Sequence, residues 1–360
     1  MILTVSMLAV GLVCALLLFA RTTRLEKSGA DARRGVSVII PARNEGKTLP
    51  LILSDLAAQK DEWLEIIVVD DGSDDDTFAV AEKFGCKTIQ VRDKPAGWTG
   101  KSFACDTGAR AAAGGLLLFL DADVRLSPGA VAGIRHSWAK NRRTVSVCPY
   151  HRTGRPVESL SLFFNMIMVA ANGLSLWRAK RNIGLFGPVI LIGREDYDAV
   201  NGHVETRRSI VDDLALGEQL KKKGLEFDLY AGGQEIAYRM YAGGVREIFR
   251  GWVKNIATGA SKTSPFIMTM VVLWVGALIS APLNIALQAF DRSPDGVLIY
   301  SVFYAAFTLH LFVFARSIGR FHPLALIMYP LPLLFFLAVF TVSAFKKIFR
   351  IKAVWKGRKI

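Results

Sequence analysis

The run Leu116-Leu117-Leu118-Phe119-Leu120-Asp121-Ala122-Asp123 constrains this chain more than any other. Five large apolar residues in succession predict a strand buried on both faces, as in the middle of a parallel sheet. Two carboxylates follow at once. A buried strand cannot satisfy bare charge, so Asp121 and Asp123 belong where the strand emerges. In open α/β sheets ligands bind outside the carboxyl ends of strands. Two clustered carboxylates there suit a hard divalent cation, Mg2+ or Mn2+, which prefers oxygen ligands. Taken alone, the tripeptide also reads as a solvated acidic turn.

Strands and helices alternate on the way to that run. Val36–Ile40 reads as a strand, followed by a helix over 48–59. Glu65–Val69 is a strand, followed by a helix over 75–84, and 86–91 reads as a third strand. A helix over 101–113 leads into Leu116, and a helix over 211–223 precedes a strand at 226–230. Strict alternation predicts a Rossmann-like α/β layer with a mostly parallel sheet.

That layer is not the whole chain. With 360 residues, 52% of them hydrophobic, and a mean hydropathy of +0.32, the chain is too apolar for an ordinary soluble enzyme. One globular domain over 35–255 with several membrane segments fits the length. Residues 1–20 carry no charge and read as a retained transmembrane anchor rather than a signal peptide. Pro265–Phe290, Val297–Ala315 and Pro323–Phe345 are the other membrane candidates, with a basic tail over 346–360. Residues 158–177 are also long and apolar, and read as an interfacial helix lying on the bilayer or as a core helix.

The net charge of +14 gathers at the flanks, at Arg21, Arg24, Lys27, Arg33 and Arg34 and again from Lys346 onward. Membrane flanking explains this better than nucleic acid, for which no recognition motif is present. The positive-inside rule predicts a multi-pass protein of the cell (inner) membrane with its catalytic domain in the cytoplasm. Four full crossings would then send the basic tail to the wrong side. A last segment that turns back at Pro330 and Pro332 removes the conflict. The four cysteines form no C-x-x-C pair, so no disulfide framework or zinc site is expected.

Two further stretches carry chemistry. Val69-Asp70-Asp71-Gly72-Ser73 follows a strand and opens a helix, with Asp74, Asp75 and Asp76 suited to the positive helix start. Asp70 and Asp71 precede that start, where a carboxylate can accept hydrogen bonds from a nucleobase or ribose. Pro41-Ala42-Arg43-Asn44-Glu45 ends the first strand in the same way. Together these pieces and Asp121-Ala122-Asp123 resemble glycosyltransferase family 2, the inverting transferases with the GT-A fold. The resemblance implies that Pro41, Glu45 and Asp71 hold the uridine of a UDP-sugar. It implies that Asp121 and Asp123 hold a divalent metal on the diphosphate. Lys101, in Gly97-Trp98-Thr99-Gly100-Lys101, is a further cation near the nucleotide.

Inversion in one step requires a general base opposite the leaving group. The family carries it in a Thr-Glu-Asp-like element some ninety residues after the metal motif. Val211-Asp212-Asp213-Leu214 stands there, with Asp213 as the base and Asp212 as its neighbour. A second aspartate raises the pKa of the first. Gly193–His203 resembles the segment that lines the acceptor pocket. Processive members carry Gln-x-x-Arg-Trp; here Glu247-Ile248-Phe249-Arg250-Gly251-Trp252 lacks the Gln and inserts a residue, which argues against polymer synthesis. Arg250 remains a candidate for the diphosphate.

Within the family, the anchor, the loop Pro95–Cys105 and the late membrane segments are most similar to hopanoid-associated and carotenoid-acid (diaponeurosporenoate) glycosyltransferases. Both imply a lipid-like acceptor rising from the bilayer; a ceramide-type lipid is a third acceptor. A polyprenyl-phosphate transferase and a non-catalytic nucleotide-sugar-binding membrane protein are the alternatives.

Overall fold

A computed structural model describes residues 1–26, 35–59, 64–176, 183–209 and 211–349, and in the tail 351, 354–355 and 358–359. Lys27, Arg33 and Arg34 of the first basic cluster lie outside the described residues, as does most of the second beyond Phe349. The chain forms two compact units. A sheet unit comprises Thr23–His151 and Gly184–Arg239; a helical unit comprises Met1–Thr22, Arg152–Ile183 and Met240–Ile360.

In chain order, α1 (Ile2–Leu18) belongs to the helical unit. The sheet unit follows with β1 (Val36–Ala42), α2 (Leu49–Ala57), β2 (Leu64–Asp70), α3 (Thr77–Lys83) and β3 (Lys87–Gln90). It continues through α4 (Gly100–Ala111), β4 (Leu116–Leu120), β5 (Val124–Leu126), α5 (Ala130–Asn141), β6 (Thr144–Cys148) and β7 (Tyr150–Arg152). After α6 (Leu162–Ala171) come β8 (Val189–Gly193), α7 (Arg194–Ala199), α8 (Asp212–Lys222), β9 (Phe227–Ala231) and β10 (Ile236–Tyr238). The chain then runs through α9 (Val245–Lys262), α10 (Pro265–Phe290), α11 (Pro294–Ile318), α12 (Pro323–Ile327) and α13 (Pro330–Ile348).

The sheet unit is built on one sheet of order β3-β2-β1-β4-β8-β6-β9. β4 is central and every one of its residues is buried, as its uninterrupted apolar run requires. The pairs β1–β2, β1–β4, β2–β3 and β6–β9 are parallel. The strand β8, which the alternation did not reveal, is antiparallel to both β4 and β6. The sheet is therefore mixed, and the reversal matters for the site. Val189, which begins β8, pairs with Leu120, which ends β4. Residues 184–188 thus arrive at the carboxyl edge of β4. α4 lies on β1 and β2 through Gly108, where a Cβ would fall 2.5 Å from Ile39 Cγ2 and 3.2 Å from Val69 Cγ2.

In the helical unit, α10, α11 and α13 (26, 25 and 19 residues) are long and apolar enough to cross a membrane. Each begins with proline, whose missing N–H is no loss at a helix start. Ser264 and Ser293 cap α10 and α11. The N-terminal helix is shorter than residues 1–20 suggested. Its 17 residues rise about 26 Å against about 30 Å of hydrocarbon. It packs on α10 at Gly11, where a Cβ would fall 2.2 Å from that of Ala277.

The stretch read as an interfacial helix forms a 3-10 turn over Pro156–Ser161 and then α6. Leu162, Phe163, Phe164, Met166 and Val169 are fully buried, with Phe164 stacked on Trp252 of α9 at 4.7 Å. A helix with Asn165 as its single polar residue has no polar face to leave in water, so it packs among its neighbours. The amphipathic helix of this unit is α9, with Ile248, Trp252 and Val253 buried and Arg246 and Arg250 exposed.

Helix propensity alone makes Gly→Ala in a helix interior favourable by about 1 kcal/mol. The approach of α4 to Ile39 reverses this, because overpacking costs about 1–3 kcal/mol. Gly108→Ala is expected to lower the thermal unfolding midpoint of the detergent-solubilised protein; an unchanged or raised midpoint would contradict the packing.

Candidate active site

The turns after β1 and β2 are tied to each other. The Asn44 amide donates to Ser73 Oγ (2.9 Å), Glu45 N–H to Thr77 Oγ1 (2.8 Å) and Gly46 N–H to Asp75 Oδ2 (3.0 Å). In return the Asp74 amide donates to Asn44 Oδ1 (2.8 Å), with Asn44 in the left-handed region that asparagine tolerates. The acidic run is therefore a set of backbone acceptors. Burial raises the Asp75 pKa, but bonds from the Thr77 hydroxyl and the Gly46 and Thr77 amides outweigh it and hold it below the ordinary range. Asp70 Oδ1 accepts from the Ser73 amide (3.1 Å) and hydroxyl, while its Oδ2 is buried with no hydrogen-bond partner.

Asp71 lies against the start of α4. A Cβ on Gly100 would meet Asp71 Oδ2 at 1.9 Å, so only glycine permits this approach. Thr99 caps the helix by accepting from the Ser102 amide (3.3 Å). Burial pushes the Asp71 carboxyl up, and Asp70 adds to it, against Lys94 and Arg43. The Arg43 guanidinium stands 3.9 Å away.

One residue further along α4, Lys101 Nζ is 2.5 Å from Asp121 Oδ1. β5 fixes the chain just past Asp123, because Arg125 grips Asp55 of α2 with two bonds (2.6 and 2.9 Å). The loop before β8 closes the site. Gly187 N–H donates to Asp213 Oδ2 (2.8 Å), and Pro188 C=O accepts from the Asp121 amide (2.9 Å). Two consecutive residues thus hold one aspartate from each of two distant segments. Asp213 opens α8 beside Asp212, and its Oδ1 accepts from the Leu214 amide (2.8 Å). The loop reaches α8 closely because Gly184 faces Gly217; a Cβ on Gly217 would lie 2.8 Å from Gly184 Cα.

A model of glycosyl transferase family 2 matches residues 37–181. The 4,4'-diaponeurosporenoate glycosyltransferase of Staphylococcus aureus (strain USA300) is 34% identical over 99% of this chain and 96% of that one. Its counterpart from strain MRSA252 is 33% identical over the same shares. The chain belongs to glycosyltransferase family 2. The family's GT-A fold is also that of a mannosyltransferase from Pyrobaculum calidifontis solved with GDP-Man and Mn2+. That structure is 15% identical, covers 97% of this chain and 99% of its own, and superposes with a TM-score of 0.56. This protein is a glycosyltransferase.

In this glycosyltransferase the sheet unit carries Pro41, Glu45, Asp70, Asp71, Lys101, Asp121, Asp123, Asp212 and Asp213 on strand ends, turns and helix starts at one edge of the sheet. Arg250 stands on α9 of the helical unit and is exposed. Gly251 beside it departs from the processive motif because Tyr241 lies there; a Cβ would meet its ring at 2.2 Å. Burial raises the Asp123 pKa, and Asp121 and Glu45 push the same way against Lys101. Asp121 and Glu45 thus add negative charge at Asp123 that Lys101 only partly offsets, an oxygen-rich surplus that suits a hard divalent cation. Burial raises the Asp213 pKa as well, with Asp212 adding and Lys101 and the two amides opposing. Burial would lower the pKa of Lys101, but Asp121 and Asp212 outweigh it and raise it, keeping it charged.

Behind Asp212 lies a group that sequence reasoning did not assemble. Cys105, His203 and Asp212 are buried, with ligand-type atoms within 4.8 Å of one another. Burial lowers the His203 pKa to about 4, against Asp212, so the ring is neutral at pH 7. Its Nδ1 pairs with the Tyr197 hydroxyl at 2.9 Å. Cys105 follows Lys101 by one helical turn, a local signal. The hundred residues between it and His203 leave none.

A methyl group at Gly187 would fall 2.9 Å from Asp213 Oδ2 and displace it. Gly187→Ala is expected to cut sugar-transfer turnover at least tenfold, about 1.4 kcal/mol. Full turnover would mean that the bond from Gly187 does not set the position of Asp213.

Proposed function

We propose that the enzyme transfers a hexose, with inversion, from a UDP-sugar to an isoprenoid-type acceptor held in the bilayer. The observation that carries the reading is the pairing of Gly187 with Asp213 and of Pro188 with Asp121 across consecutive residues. It sets a candidate base against the carboxylate pair that suits a diphosphate-bound cation. Asp71, Asp70 and Pro41 take the nucleoside, and the unpartnered Asp70 Oδ2 is an acceptor for one of its N–H or O–H groups. Asp121 and Asp123 would hold Mg2+ or Mn2+, which neutralises charge on the departing diphosphate. Lys101 holds Asp121 in place and adds positive charge beside the leaving group.

Asp213 faces the acceptor oxygen. For a hydroxyl acceptor it removes the proton as carbon–oxygen bond formation proceeds. The S. aureus relatives are named for a carotenoid acid, and an acid acceptor is the second reading. A carboxylate is already ionised at neutral pH and needs no base. The membrane helices and the relatives' acceptor both support a lipid-phase substrate, with the sheet unit on the cytoplasmic side of the cell membrane.

The test is UDP release from a panel of UDP-sugars, with and without isoprenoid alcohols and acids, in Mn2+ or chelator. Asp123→Ala is expected to lose at least about a hundredfold in turnover, several kcal/mol of charge stabilisation. Asp213→Asn should lose about 10²–10⁴-fold with an alcohol and about tenfold or less with an acid. Release that chelator and Asp123→Ala both leave intact would overturn the metal assignment. No release with any acceptor, despite UDP-sugar binding, would overturn the transfer reading.

The pH dependence follows from the raised Asp213 pKa. A base acts only when ionised, so activity is absent below its pKa and appears as pH rises through it. With an alcohol acceptor the acid limb should lie above the ordinary carboxylate range, about 3.9, and Asp212→Asn should move it to lower pH. A limb that Asp212→Asn leaves in place would assign it to another group.

A further inference from the structure

The last apolar segment breaks at Tyr329, and its contacts fix the depth of both ends. Tyr329, fully buried, donates its hydroxyl to Leu278 C=O (3.2 Å), in the middle of α10. Tyr304, near the middle of α11, donates to Ile327 C=O (2.6 Å) and stacks on Tyr329 at 4.8 Å. The break between α12 and α13 therefore lies halfway along both long helices. At the other end of α13, Ser343 donates to Val253 C=O (2.6 Å) and Lys347 to Ser261 Oγ. Ser261 stands one turn before Pro265, the first residue of α10. From Pro265 to Leu278 α10 rises about 20 Å, and α13 rises about 27 Å. α13 thus starts at the mid-level of α10 and ends level with its beginning.

The end of α11 lies at that same level. Arg320 C=O accepts from Thr153 Oγ1 (2.5 Å) and the His322 amide donates to Ser159 Oγ (2.9 Å). Two residues on, Ser161 Oγ accepts from the Trp252 indole of α9 (3.1 Å). The tail's short strand Val354–Trp355 runs beside α9 as well. The turn Asp291-Arg292-Ser293 between α10 and α11 lies at the opposite end.

We propose that α12 and α13 form a re-entrant hairpin. The chain enters the bilayer after Phe321, turns at Tyr329-Pro330 at mid-depth and leaves on the face it entered. Backbone that is not helical survives at such depth only where its polar groups are satisfied within the protein. Here Pro330 and Pro332 have no N–H to satisfy, the Leu331 amide donates to Met328 C=O (3.0 Å), and the Leu333 amide to Tyr329 C=O (3.0 Å). The hairpin gathers Lys346 and Lys347 on the face of α9 with its exposed Arg246 and Arg250. The positive-inside rule assigns that face to the cytoplasm.

The test uses the full chain in cells, with Asp291→Cys and Ile351→Cys made singly and read by a membrane-impermeant maleimide. Wild type, with its four native cysteines, is the background. Retained UDP release shows that each variant is folded. A re-entrant hairpin predicts that the two positions react from opposite faces: Cys at 291 in intact cells, Cys at 351 only after permeabilisation. A full crossing by α13 predicts that both react from one face, which would overturn the proposal. So would either position reacting equally from both faces.

Discussion

The site rests on two consecutive residues of one loop. The Gly187 N–H and the Pro188 carbonyl hold Asp213 and Asp121, which stand some ninety residues apart in the chain. This works because β8 runs against β4. A parallel strand would deliver its carboxyl end to that edge and leave its preceding loop at the far side of the sheet. The loop is held from behind as well, since Ser146 Oγ accepts from the Phe186 amide (2.7 Å) and donates to its carbonyl (3.1 Å). Gly184, Gly187 and Gly217 then allow the loop to approach α8 more closely than side chains would.

Charge is the second constraint. At the sheet edge Lys101 faces Asp121, which follows β4, and Asp212, which opens α8. Lys101 bonds Asp121 and is raised in pKa by both Asp121 and Asp212, so it links the end of β4 to the start of α8. The same helix start admits Asp71 through Gly100. The first turn of α4 therefore meets both Asp71 and Asp121. Burial first, and the neighbouring carboxylates after it, raise the pKa of Asp123 and Asp213.

The helical unit obeys a different rule, that every backbone donor in hydrocarbon must be satisfied. Proline serves it where α10, α11, α12 and α13 begin. Small residues serve it where helices touch, as at Gly11 and Ala277. The helix breaks between Ile327 and Pro330, where α13 begins, and α13 ends with Lys347 on Ser261.

The residues themselves determined the central strand, the turns that end three parallel strands and the apolar spans. These depend on local pattern: an unbroken apolar run, carboxylates past a strand, Ser-Pro before a helix. Asp121, Asp123 and Asp213 were legible because their neighbours in sequence are strand ends and helix starts. What lay beyond reach was whatever depends on partners far along the chain. The antiparallel course of β8 leaves no trace in Val189–Gly193, whose apolar run reads the same in either direction. The burial of α6 depended on which helices surround it. The placement of His203 and Cys105 behind Asp212 followed from packing α4 and α8 on one sheet. Local sequence sets what each segment can be, and only tertiary contact sets which buried groups face one another.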